Sequence, residues 1–132
     1  MADTGTPTAA PVRARERGRR LQRAVFGAFV LISLAVLFTP APEVPSGPEG
    51  VDKVVHVALF AALAASGRYA GVPALVLAPA LAAYGGVSEL LQGLPGIDRS
   101  TSLADWAADV GGVVLGYTGL VLSTRFRSAS TS

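Results

Sequence analysis

The chain contains no cysteine, a single lysine and a single histidine. Without cysteine it can form no disulfide and offers no thiolate as nucleophile or metal ligand. Charge is also scarce: 15% of the 132 residues are charged, where a soluble domain carries about 25%. Hydrophobic residues make up 51% of the chain and its mean hydropathy is +0.49. Too few polar side chains remain to cover a water-facing surface, which points to a bilayer. The stretch TPAPEVPSGPEG has two glutamates and no lysine or arginine.

What is present is unevenly placed. Six of the ten arginines (13, 15, 17, 19, 20 and 23) precede the apolar core that begins at Ala24. The opening MADTGTPTAAPVRARERGRR buries nothing and reads as disordered. As a nucleic-acid tail it would stand alone, so no nucleic-acid partner is expected; as a basic stop beside a membrane it fits. Four apolar segments follow, over 21–39, 51–67, 71–91 and 103–124. A helix needs about 20 residues to cross ~30 Å of hydrocarbon; the second segment is short and needs polar flanks at the interface.

These features predict an all-α integral membrane protein of the plasma membrane, a four-transmembrane-helix bundle. Its parts are a disordered basic cytoplasmic tail (1–20), a membrane domain (21–124) and a short cytoplasmic tail (125–132). The Lys/Arg bias puts both termini inside; Arg99, in an outer loop, is the one base that the rule disfavours. The alternative for segment one is a signal peptide, with an apolar core from Ala24 to Phe38 and a weak cleavage site at Thr39-Pro40-Ala41. It would leave three spans and the same outer site.

In this topology the interior polar residues gather at one membrane level. Asp52, Lys53 and His56 open segment two. Glu89 and Gln92 close segment three, Asp98 and Arg99 lie in the following loop, and Asp105 and Asp109 open segment four. Asp52 and His56 are i, i+4 and share a helix face. Asp105, Asp109, Gly112, Gly116 and Gly119 form one stripe. Gly112 and Gly116 make a small-xxx-small pattern for close helix packing, so the acids point to where that helix packs. Five negative charges stand against two positive ones over Asp52, Lys53, Glu89, Asp98, Arg99, Asp105 and Asp109. The excess leaves room for a cation, but carboxylates with one histidine do not specify a metal, and no metal or cofactor is assigned. Taken singly, His56 reads as a structural histidine, Lys53 as a snorkelling side chain and Trp106 as an interfacial aromatic. Together, ionisable groups inside a membrane point to function.

Three blocks in this order, DKVVH, SELLQGLPGIDR and SLADWAADVGGVVLG, resemble the VanZ-like family of small membrane proteins. The resemblance covers roughly 51–119 and matches Asp52, Lys53, His56, Glu89, Gln92, Arg99 and Asp105. Asp109 departs from it, since the family usually shows asparagine there, and Ile97-Asp98 stands between the Pro-Gly and the arginine. The resemblance implies a link to resistance against the lipoglycopeptide teicoplanin.

Three functional readings follow. In the first, the protein binds or modifies an envelope component, a lipid-linked molecule or lipoglycopeptide, with Asp52, Lys53, Gln92, Arg99 and Asp109 as binding residues. In the second it is a membrane hydrolase or transferase, with His56, Glu89 and Asp105 as catalytic candidates and His56 oriented by Asp52 or Glu89. Water would be the attacker, because Ser88, Ser100 and Ser102 lack a nucleophile's context. A proton-coupled carrier ranks third, because no polar path crosses the bundle. Against all three stands a structural subunit whose charge cluster locks the helices.

Overall fold

The computed structural model describes residues 9–40, 50–95, 97 and 102–129. Among these the fold is all helix: α1 (Ala9–Leu37), α2 (Val51–Tyr69), α3 (Ala74–Gln92) and α4 (Leu103–Ala129). Three of them, over Val12–Leu37, Ala74–Gln92 and Leu103–Ala129, are long and apolar enough to cross a membrane. α2 is the exception, because Asp52, Lys53 and Arg68 fall within its 19 residues.

The largest boundary differences from the sequence reading are at the start of α1 and the end of α4. The expected disordered tail is helical from Ala9, and α4 continues through Arg125 and Arg127 to Ala129. Alanine, arginine and glutamate are good helix formers, so a helix nucleated in the apolar segment propagates into its basic flank. Residues 12–20 are exposed throughout, so this extension adds helix and no core. The remaining tail calls, at 1–8 and 130–132, lie outside the described residues.

α2 lies at the centre and packs against all three other helices, most extensively against α4. Its buried residues His56, Phe60, Leu63, Ala64 and Gly67 recur at helical spacing, one continuous stripe. Against it lies the stripe of α4 that includes Gly112 and Gly116. A Cβ added at Gly112 would strike the Val57 carbonyl oxygen, and one at Gly116 the Ala61 carbonyl oxygen. Only hydrogen at these positions lets the two backbones approach so closely. The core is completed by Leu37 of α1, by Leu77 and Leu81 of α3 and by Val113 of α4. Phe60 stacks on Tyr84 of α3, ring centroids 5.7 Å apart.

The turn between α2 and α3 shows why both helices stop there. Gly71 has φ +89°, its N–H bonds the Arg68 carbonyl, and the Val72 N–H bonds the Gly67 carbonyl. This is a Schellman closure, which needs a residue free to enter the left-handed region. Pro73, extended at ψ 140°, then precedes α3, so α3 begins at Ala74, later than the apolar pattern from Gly71 indicates.

The outer surface is apolar. Leu31 and Ile32 of α1, Leu75, Val76 and Leu90 of α3, and Val114 and Leu115 of α4 are all exposed. A water-soluble monomer rarely leaves many large apolar side chains exposed on several helices, and such a surface is compatible with a bilayer.

Candidate functional site

One end of the bundle gathers the C-termini of α1 and α3 with the N-termini of α2 and α4. Helix ends leave backbone donors and acceptors without intrahelical partners, and here side chains from other helices take them. Ser102 caps α4, its Oγ accepting from the Asp105 N–H at 3.2 Å. In a capping box the third helical residue would accept the Ser102 N–H in return. Instead Glu89 of α3 reaches across and accepts it at 2.9 Å through Oε2, which leaves the Asp105 carboxylate free to face α2. Gln92 donates to the Leu37 carbonyl at the end of α1 at 2.6 Å. Deeper in the bundle, Ser33 of α1 and Tyr84 of α3 hydrogen-bond at 3.0 Å.

At the centre of this end His56 donates from Nδ1 to Asp109 Oδ1 at 2.8 Å. Glu89 Oε1 lies 4.0 Å from the same nitrogen. His56, Asp109 and Glu89 are 2%, 0% and 3% exposed. Asp109 packs against Gly85 of α3, where a Cβ would come within 2.7 Å of Oδ2; the glycine provides the space for the carboxylate. Three enclosed oxygens, Glu89 Oε1, Asp109 Oδ2 and Asp105 Oδ1, have no hydrogen-bond partner, and of these Asp105 Oδ1 faces the Lys53 ammonium at 3.4 Å. Leaving such atoms unpaired is costly.

A second, outer layer sits above. Lys53 places its ammonium 3.4 Å from Asp105 Oδ1 and 3.5 Å from Asp52 Oδ2. Lys53 and Asp52 are about half exposed, whereas the Asp105 side chain is 13% exposed. Asp105 therefore joins the two layers. One ring nitrogen of His56 and one carboxylate oxygen each from Glu89 and Asp105 lie within 4.8 Å of one another.

The structure thus brings together His56, Glu89, Asp105 and Asp109, with Lys53 at the rim. The orienting partner of His56 is Asp109, not Asp52 or Glu89 as the sequence indicated. His56 lies on the face of α2 that packs against α4, while Asp52, one turn nearer the helix end, is exposed and pairs with Lys53. Gln92 is buried and committed to the end of α1, so its amide nitrogen ties helices together. Gly112 and Gly116 pack as expected. Arg99 and Asp98 lie outside the described residues.

Two roles were not anticipated. Ser102 links α4 to Glu89, and the signal for it was the S-x-x-D spacing of Ser102 and Asp105, a helix-start pattern. Trp106, half exposed, donates its indole N–H to the Ala82 carbonyl at 3.0 Å and lies alongside Gly86, so it joins α4 to α3 as well as facing outward.

No family model matches the chain, nor does any curated protein or solved structure match it at a significant level. The functional reading therefore rests on the site.

Proposed function

We propose that the protein is a VanZ-like integral membrane protein with four spans and both termini cytoplasmic. Its polar end would face outward and engage an anionic group of a cell-envelope component near the outer leaflet. The observation that carries this reading is the buried His56–Asp109–Glu89 cluster at one end of an otherwise apolar bundle, because desolvated ionisable groups inside a membrane are expensive unless used. The Lys/Arg distribution supports the orientation. Arg68, Arg125 and Arg127 lie toward the end opposite the cluster, as does the basic start of α1, and the positive-inside rule assigns that end to the cytoplasm. α2 would cross as the sheltered central helix, its 19 residues rising about 28 Å.

In this reading Lys53 is the exposed cation that meets a phosphate or carboxylate, held at the rim by Asp52 and Asp105. A link to teicoplanin-type resistance would follow from reduced access of the lipoglycopeptide to its target. The test is expression in a sensitive host, with membrane insertion verified and teicoplanin susceptibility measured. Raised resistance that is lost in Lys53→Ala and Glu89→Gln supports the reading; unchanged susceptibility with the protein in the membrane refutes the resistance link.

A second reading, a hydrolase or transferase on a lipid-linked substrate, draws on the His56–Asp109 pair, since a carboxylate that fixes an imidazole is a common general-base arrangement. The burial of all three inner residues makes binding at the rim the better-supported choice. The structural-subunit alternative makes a different demand: Glu89→Gln would lower stability and any phenotype in equal measure.

A further inference from the structure

We propose that His56, Glu89 and Asp105 form a binding site for a divalent first-row metal cation, with Asp109 holding the imidazole in place. One ligand atom from each of the three residues already lies within 4.8 Å of the other two. Metal–ligand bonds of 2.0–2.2 Å put neighbouring ligand atoms about 3–4 Å apart. Binding would draw the three ligand atoms together by about an ångström.

Three further observations point to a ligand. Glu89 Oε1 is enclosed and has no hydrogen-bond partner, although Glu89 is 3% exposed and its other oxygen is fixed by the Ser102 amide. The helix fold has anchored one oxygen of this side chain and left the other facing His56. Because Nδ1 donates to Asp109, Nε2 is the nitrogen left to ligate, and a carboxylate on the opposite ring nitrogen is the kind of outer contact that orients a ligating histidine. Finally, α4 is capped by an exchange of partners, Glu89 substituting for Asp105, which leaves the Asp105 carboxylate available at the cluster.

The donor set narrows the cation. One imidazole with carboxylates and no thiolate suits Mn²⁺ or Zn²⁺ and does not suit Cu⁺. Three protein ligands leave at least one position for water or for an anionic group of a substrate. Lys53 is then a competitor: its ammonium stands 3.4 Å from the Asp105 oxygen that would face the metal. Its removal should tighten binding, a result that a purely structural salt bridge does not predict. The proposal concerns the site's occupant and does not depend on the resistance reading, because metal binding is measured on the purified chain.

The experiment uses the full chain, purified in detergent with a tag that contains no histidine and stripped with chelator. MnCl₂ and ZnCl₂ are titrated separately, with Mn²⁺ followed by electron paramagnetic resonance and Zn²⁺ by calorimetry. Bound metal per chain is counted by mass spectrometry. One equivalent of either metal is expected in the wild type. Glu89→Gln and Asp105→Asn should weaken it at least tenfold, Lys53→Met should tighten it several-fold, and Glu16→Gln on the exposed part of α1 should leave it unchanged. Helicity and gel-filtration profile show that each variant is folded. Should the two ligand variants fail that check, the wild-type stoichiometry and the Lys53→Met affinity decide. Less than a tenth of an equivalent in the wild type overturns the proposal. So does undiminished binding by folded Glu89→Gln and Asp105→Asn, or unchanged affinity in Lys53→Met.

Discussion

The α2–α4 seam and the polar end of the bundle hold the same helices together by different physics. At the seam, Gly112 and Gly116 remove side chains so that backbones touch, and the gain is dispersion spread over many atoms. At the polar end, each contact is a specific bond between groups that the chain had to take out of water: His56 to Asp109, Glu89 to the Ser102 amide, Gln92 to the Leu37 carbonyl. The seam has nothing left over. The polar end does, because Glu89 Oε1 and Asp109 Oδ2 remain unmatched. That surplus is the physical reason for proposing a site there.

Mutation can break the comparison. The largest effect is expected from Gly112→Leu, whose side chain would collide with the Val57 carbonyl and Phe60. Overpacking against backbone should cost about 3 kcal/mol in reversible unfolding from mixed micelles. Asp109→Ala should cost less, about 1–2 kcal/mol, because it strands the buried His56 donor. An Asp109→Ala loss exceeding that of Gly112→Leu would mean that the polar end, not the seam, holds the bundle.

Gln92→Ala removes one buried bond between α1 and α3, and about 0.6 kcal/mol is expected by the same assay. A larger loss would show that α1 depends on this contact more than on the packing of Leu37. Smallest of all, Asp52→Asn should leave the unfolding midpoint unchanged, since its pair with Lys53 is exposed and such pairs contribute little. A clear loss of stability there would mean that the rim is structurally coupled to the layer beneath it.

Much of the architecture was legible in composition and period. The four apolar runs became the four helices, the Gly112–Gly116 spacing marked the seam, and the polar residues of α2, α3 and α4 pointed to one end. Helix boundaries were less legible. The basic flank carries no apolar period, so nothing in the pattern showed that α1 begins by Ala9, whereas Gly71 and Pro73 were visible as letters but not as a Schellman turn.

Within the site, the sequence by itself determined which residues could meet, because helical rise and the order of segments place them at a common level. The tertiary structure decided which of them do meet. His56 could turn toward Asp52 on its own helix or toward Asp109 on α4. The close α2–α4 approach, with Gly85 making room beside Asp109, settled it in favour of Asp109. The physical reason is that local spacing sets the face of a helix, while the partner of a buried charge depends on which backbone lies near enough to exclude water.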